Sequence, residues 1–375
     1  MLNNFKEKKV FHSPDKPLLF SVFALIVLGL IFLSSASSVV AYVKYGSTYH
    51  LFANQLWISL AGLGIFWLVY RIDYQIWRKY AFFFLLASCF LLALVFIPGL
   101  ASNWGTSNSW INVFGFSLQP SEFVKIFFLL YLAAFIESRK NELANWRAGF
   151  GPFLVVLGVI GLMMLLQPDM GTLIIISLTS LAVYFVGGGK LWHIVLILLV
   201  ALLLIFVMVQ IKPYQKERFA CVFSQNRDSQ GKCYQLEQSL IAVGSGGVIG
   251  RGLGQSRQKF LYLPEAYGDS IFAVIAEEIG FIFSLVFIAL YVFLFLRLMQ
   301  VAKTAPDLFG KLIAVGIGLW LIIQAFVNIG GVIGAIPMTG VPLPFASQGG
   351  SSLLAVLIAL GVAANISRQT VHQRE

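Results

Sequence analysis

Residues 262–278 read YLPEAYGDSIFAVIAEE, a Pro-containing loop that runs into an apolar segment of membrane length and brings Asp269, Glu277 and Glu278 with it. Ionised carboxylates are expensive in hydrocarbon, so three of them at or inside one span mark a functional site. Such acids need water, a partner or a proton, which argues against a passive anchor.

The rest of the 375-residue chain is 59% hydrophobic and 11% charged, far too apolar for the surface of a soluble domain. Runs of about twenty apolar residues predict an all-α polytopic membrane protein forming one integral domain over 1–375. Its ten spans are expected near 17–43, 51–71, 79–98, 118–137, 151–167, 170–188, 191–211, 270–296, 310–335 and 346–367. Gln167-Pro168-Asp169 separates the fifth and sixth, which favours a tight hairpin over one long helix.

Lys6, Lys8, Lys9 and Lys16, then Arg71, Arg78 and Lys79, then Arg139, Lys140 and Arg147 mark the cytoplasmic side, with both termini inside and residues 1–16 as a cytoplasmic tail. Lys190, Arg297, Lys303, Lys311, Arg368 and Arg374 extend that side, while 99–117 and 336–345 hold no Lys or Arg. The segment 212–269 between spans seven and eight is external by this count yet basic, with short interfacial or re-entrant helices expected in it. Its Lys212, Lys216, Arg218, Arg227, Lys232, Arg251, Arg257 and Lys259 call for an anionic partner. Interleaved acids, glycines and aromatics favour a phosphate-bearing ligand over bulk lipid headgroups. The net charge of +10 otherwise sits mostly on the cytoplasmic rim and implies no nucleic acid. Cys221 and Cys233 share the basic segment and are able to form a disulfide there, whereas Cys89 sits in a span as packing. The first span is long and lacks a cleavage site, so it is expected to stay as an anchor.

With this topology every even-numbered span begins at the outer face. Four polar motifs then share one side: Gln119-Pro-Ser-Glu122, Gln167-Pro-Asp169, Pro264-Glu-Ala-Tyr-Gly-Asp269 and Pro344-Phe-Ala-Ser347-Gln-Gly-Gly-Ser351-Ser352. Each alone is also what an ordinary capped helix start looks like. Together they imply a common cavity. Glu122 and Lys125, three apart, share a helix face and form either a packing ion pair or a cavity pair that orients a phosphate or carboxylate. Asp269 and Glu277 are about 12 Å apart along a helix and roughly 80° around it, so they are no carboxylate dyad. Asp269 is the one placed to meet an external substrate; Glu277 and Glu278 are expected to pair with other spans. The glycines of 244–254 offer backbone amides to phosphate, a weak signal alone. His12, His50, His193 and His372 lack metal-ligand spacing, and no Gly-x-Ser-x-Gly elbow, P-loop or second intramembrane Asp is present.

These residues resemble the SEDS family (shape, elongation, division, sporulation), represented by FtsW, RodA and SpoVE. The runs that carry the resemblance are QPSEFVK at 119–125, LQPDMGT at 166–172, YQLEQSLIAVGSGGVIGRGLGQSRQKFLYLPEAYGD at 234–269, FAVIAEEIG at 272–280 and NIGGVIGAIPMTGVPLPFASQGGSS at 328–352. Ser34–Ser38 and the GDSIFAVIAEE run are closer to the FtsW branch than to the RodA branch. The resemblance implies a ten-span peptidoglycan glycosyltransferase in the bacterial cytoplasmic (inner) membrane, polymerising lipid II at the outer face. It implies Asp269 as the catalytic acid and Glu122, Lys125 and Asp169 as cavity residues. Arg218, Gln235, Gln238, Ser239, Lys259 and Glu265 match substrate-proximal loop positions. Gln119, Glu277, Glu278, Ser347 and Ser351 are read as structural or cavity positions. Ser109, Asn54 and Gln348 depart from the family pattern, where a basic residue, a basic residue and a Tyr are usual. Implied partners are lipid II, the growing lipid-linked glycan, a class B penicillin-binding protein and other divisome or elongasome membrane proteins.

The chemistry fits. A sugar hydroxyl attacking the anomeric carbon of a pyrophosphate-linked sugar needs a general base, and the leaving pyrophosphate needs cations. Arg218, Lys259 and Lys125, with a divalent cation such as Mg or Mn, are expected to supply the latter. Two rivals are a flippase of polyprenyl-linked precursor, which needs polar groups leading to the cytoplasmic side, and a non-catalytic scaffold, which needs no acid-lined cavity.

Overall fold

The structure, a computed structural model, describes residues 13–97, 101–104, 107–113, 116–211, 213–223, 231 and 233–369. Lys6, Lys8, Lys9, Lys212, Arg227, Lys232 and Arg374, on which the charge count drew, lie outside the described residues. The chain runs α1 (Lys16–Ala36), α2 (Ser38–Tyr45), α3 (His50–Arg71), α4 (Tyr74–Lys79), α5 (Ala81–Leu94), β1 (Ala101–Trp104), β2 (Ser107–Val113), β3 (Phe116–Leu118) and α6 (Pro120–Ser138). A π-turn at Trp146–Phe150 leads into α7 (Gly151–Leu166) and α8 (Met170–Val186). Then come α9 (Leu191–Ile211), α10 (Pro213–Phe223), α11 (Tyr234–Ser245), α12 (Ile271–Thr304), α13 (Leu308–Val332) and α14 (Gly350–Arg368).

Among the described residues six helices are long and apolar enough to cross a membrane, namely α1, α3, the Trp146–Leu166 unit, α12, α13 and α14. Shorter apolar helices stand at Ala81–Leu94, Met170–Val186 and Leu191–Leu203. The all-α expectation needs one correction: residues 101–118 form a small antiparallel sheet, order β1-β2-β3. In β2 the buried Ser109 and Ile111 share one face, and the exposed Asn112 falls on the other. The first predicted span is also divided at Ser37, where α1 ends and α2 begins.

The core is built around α13 and α14, whose apolar stretches are 72% and 83% buried, the highest shares among the six long helices. Helix α13 packs on α12, α8 and α6, and α14 packs on α3 and α6. Gly29 lets α1 press against the backbone at Phe345, where a Cβ would fall 2.2 Å from the carbonyl oxygen.

Helix α12 breaks at Gly280, whose φ of 74° lies in the left-handed region that only glycine enters freely. The freed backbone is satisfied by residues 247–252. Arg251 and Gly252 amides donate to the Glu277 and Glu278 carbonyls at 3.0 and 2.9 Å, and Phe281 and Ile282 amides donate to the Gly247 and Val248 carbonyls at 2.9 and 3.1 Å. A Cβ on Gly250 would sit 2.2 Å from the Glu278 carbonyl oxygen. The glycine-rich stretch therefore serves close backbone docking onto α12, not the phosphate cradle its composition suggested.

Candidate active site

The turn before α12 is held carbonyl by carbonyl. The Tyr267 carbonyl accepts from the Gln348 amide at 2.9 Å, that of Gly268 from Ser347 Oγ at 2.7 Å, and that of Asp269 from Asn328 Nδ2 at 2.7 Å. Asn328 also donates to the Val341 carbonyl at 2.8 Å, and Leu343 donates to Ser347 Oγ at 2.8 Å. Three consecutive peptide units are thus fixed by donors from α13 and the segment between α13 and α14. Glu265, at φ 50°, closes the same turn through its carbonyl, which accepts from Gly268 and Ser270 at 2.9 and 3.2 Å. A non-glycine residue in that region is strained by about 1–3 kcal/mol and persists only where the surroundings hold it.

The Asp269 carboxylate is not spent on capping: Ser270 is the N-cap of α12, and no side chain caps that helix. Among the described residues its side-chain donor is Gln235 Nε2, at a long 3.3 Å to Oδ1. Gln235 Nε2 also donates to Ser270 Oγ at 3.0 Å. Oδ2 faces Gly340, where an added Cβ would come within 3.8 Å of it. Desolvation by the surrounding chain, then the negative Glu265, push the Asp269 acid up to about 6, against the opposing pull of the Arg218 guanidinium. Arg218 is anchored by donating to the Met338 carbonyl at 2.7 Å. The Cys221–Cys233 disulfide links the end of α10 to the start of α11 and so brings Arg218 and Gln235 to the same acid. Gln238 lies half-buried on α11, and Ser239 Oγ is used by its own helix, donating to the Gln235 carbonyl at 2.8 Å.

A second polar group joins the starts of α6, α8 and α14. Asp169 caps α8 through the Thr172 amide at 3.1 Å and accepts from Ser121 Oγ at 2.8 Å and Gln119 Nε2 at 3.3 Å. The Gln119 amide donates to Ser351 Oγ at 3.1 Å. One turn deeper, Lys125 Nζ donates to Glu122 and to Gln324 Oε1, both at 2.8 Å, and stands 5.0 Å from the Trp320 ring centre. The four motif-bearing helix starts are therefore neighbours. The space beside Lys125, lined also by Thr179, Ser180 and Trp320, is about 10 Å³. That is roughly one water position.

Lys259 is engaged within the protein. Its ammonium donates to Glu278 at 3.0 Å, Ser35 Oγ at 2.8 Å and the Gly254 carbonyl at 2.7 Å, which occupies all three of its donors. Glu278 is reached by Ser35 from α1, as a contact with another span requires. Glu277 instead gathers the loop, accepting from Ser256 Oγ and from the Arg257 and Gln258 amides at 3.1 and 3.3 Å. Sequence reasoning missed Asn328, Gln324, Ser35 and Ser256. For the first two the available signal was an amide inside an apolar span, which has to find a partner.

Among the described residues no group of three or more His, Cys, Asp and Glu could hold a metal ion. Asp269 and Glu265 fit at most an ion carried in on substrate phosphates, the usual mode for magnesium.

The chain matches the family described as "Cell cycle protein", the FtsW, RodA and SpoVE family, over residues 16–372, and it belongs to that family. It is 40% identical over 356 residues to stage V sporulation protein E of Bacillus subtilis, covering 95% of this chain and 97% of that one. It is 37% identical over 353 residues to the probable peptidoglycan glycosyltransferase FtsW of Geobacter sulfurreducens, covering 94% and 95%. Its fold is RodA-like: Thermus thermophilus RodA superposes with TM-score 0.71 at 27% identity, covering 95% of this chain and 97% of that one. A chain from a peptidoglycan synthase complex, solved for the coordination of polymerization and crosslinking, superposes with TM-score 0.79 at 27% identity, covering 96% and 99%.

Proposed function

We propose that this protein polymerises lipid II into β-1,4-linked glycan strands, with Asp269 as general base. The observation that carries the mechanism is a carboxylate whose backbone is pinned at the neighbouring carbonyls yet which, among the described residues, takes only one long side-chain hydrogen bond and feels the Arg218 charge. A sugar hydroxyl of one substrate attacks the anomeric carbon of the other. Asp269 takes the hydroxyl proton as the new C–O bond forms, and the bond to the pyrophosphate breaks, releasing undecaprenyl pyrophosphate. Back-side attack on an α-linked donor inverts the centre. Arg218, whose charge acts on Asp269, stabilises charge on the leaving phosphate. A divalent cation such as Mg or Mn would supply further charge neutralisation on the phosphates; no step here is routed through it.

The same reading has ten spans with both termini in the cytoplasm, residues 212–269 external, and the Asp269 end at the outer face of the bacterial inner membrane. The synthase complex among the structural relatives supports a class B penicillin-binding protein as partner. A role in division is supported by the FtsW relatives, and one in sporulation or elongation by SpoVE and RodA. Purified protein supplied with lipid II alone is expected to make glycan chains, and Asp269→Asn to make almost none while still inserting and binding its partner. Absence of polymer from the wild type, with lipid II crossing the bilayer, would establish the flippase instead.

A further inference from the structure

The segment 246–262 presents its apolar side chains outward. Val248, Ile249, Leu253, Phe260 and Leu261 are 57–73% exposed. Two facts say what covers them. The first is continuity: Val248 is hydrogen-bonded to Ile282, and next to Ile282 on α12 stand Phe281 and Phe283, themselves 62% and 56% exposed on a membrane-length helix. The contact falls at Gly280, about 14 Å along α12 from its first residue at 1.5 Å per residue, so this loop reaches well below the helix start. Irregular backbone is tolerated at that depth only when its polar groups are satisfied. Here the amides of Gly250, Arg251 and Gly252 are satisfied by Gly246, Glu277 and Glu278.

The second fact is charge. Arg257 is exposed, and its guanidinium has no partner among the described residues. The acid nearest in the fold, Glu277, accepts from its backbone amide and is otherwise occupied by Ser256, Gln258 and Arg251. The bond from Lys259 Nζ to the Gly254 carbonyl closes the turn between Leu253 and Phe260, so both flank Arg257. A cation rising from an apolar shelf is the arrangement that meets a phosphate at the membrane interface.

We propose that residues 246–262 form a lipid-immersed shelf in the leaflet at the Asp269 end. Val248, Ile249, Leu253, Phe260 and Leu261 enter the acyl region, and Arg257 binds the phosphate of an anionic phospholipid headgroup. The shelf leads directly into Leu263–Asp269 and sets the height of that loop on the membrane. The assignment does not depend on the role of Asp269.

The test uses the full chain in vesicles, in a Cys89→Ser background with the Cys221–Cys233 disulfide intact. Nitroxides at Ile249→Cys and Leu253→Cys are expected to collide with oxygen more than with a water-soluble nickel chelate. A bimane at Leu261→Cys is expected to be quenched by brominated phosphatidylglycerol in preference to brominated phosphatidylcholine. Arg257→Gln should reduce that preference about fivefold, the equivalent of roughly 1 kcal/mol for one basic contact with an anionic surface. Nickel access exceeding oxygen access overturns the shelf, as does exclusion of both, which means a protein surface covers it. A headgroup preference unchanged by Arg257→Gln overturns the phosphate contact.

Discussion

Both ends of the helical bundle carry aspartates, and Asp269 is held differently from the rest. At the end near residues 73, 307 and 365, Asp307 caps α13 through the Gly310 amide at 2.8 Å and also accepts from Tyr74 Oη at 3.0 Å and from Gln75. Asp15 caps α1 and pairs with Arg297, and Asp73 caps α4 and accepts from Gln369. Tyr74, buried beside Asp307, has its phenol held well above the usual tyrosine range, first by burial and then by that neighbouring charge. Each of these acids has been absorbed into packing. At the other end Asp169 likewise caps α8, but Asp269 caps no helix and its Oδ2 faces Gly340. An acid whose acceptors are filled stabilises the fold; one whose backbone is pinned but whose carboxylate is under-satisfied is available for proton transfer.

The largest expected effect breaks this comparison most directly. Asp269→Asn should lower polymerisation from lipid II by about 10² or more, a general-base contribution, with little change in thermal unfolding. Asp307→Ala should do the opposite, lowering stability by about 2 kcal/mol through a lost cap and hydrogen bonds while activity per folded molecule stays near wild type. Equal losses of activity from both would mean that the two ends do not differ in kind.

Next in size is Asn328→Leu, which removes the donor to Asp269 and Val341 without changing side-chain size much. Misplacement of the base should cut kcat by about tenfold to a hundredfold, with KM for lipid II little moved. A change in melting temperature with kcat intact would make Asn328 a packing residue only.

Lys259 and Arg218 separate structure from substrate. Lys259→Ala leaves Glu278 buried without its cation, a loss of about 3–5 kcal/mol, and should appear as lower thermal stability with KM unchanged among surviving molecules. Arg218→Ala should raise KM several-fold or lower kcat with little thermal effect. A KM effect from Lys259→Ala as large as that from Arg218→Ala would return Lys259 to the pyrophosphate.

The smallest effect is in the pH profile. The base works only when deprotonated, and its acid is pushed up to about 6, so polymerisation should fall as pH drops through about 6. Because the Glu265 charge helps to raise it, Glu265→Gln should move this acidic limb to lower pH, and a limb unmoved or raised would break the assignment.

Much of this was legible in the chain itself. Hydropathy marked the six long apolar helices because bilayer thickness sets a run length that survives any packing, and Asp269 stood out because charge at the edge of a span needs a reason. Gly280 was visible as a residue but not as a break, since a glycine inside a helical run is usually silent until another backbone docks on it. Residue spacing put Glu122 beside Lys125, a local relation along one helix. It was unable to tell that Lys259 meets Glu278 and Ser35, or that Asn328, 59 residues beyond Asp269, holds its carbonyl. Ion pairs and amide bonds of that kind follow from which helices lie side by side. Only the tertiary structure decided them, because a buried donor goes to whichever acceptor packing brings within 3 Å, at any distance in sequence.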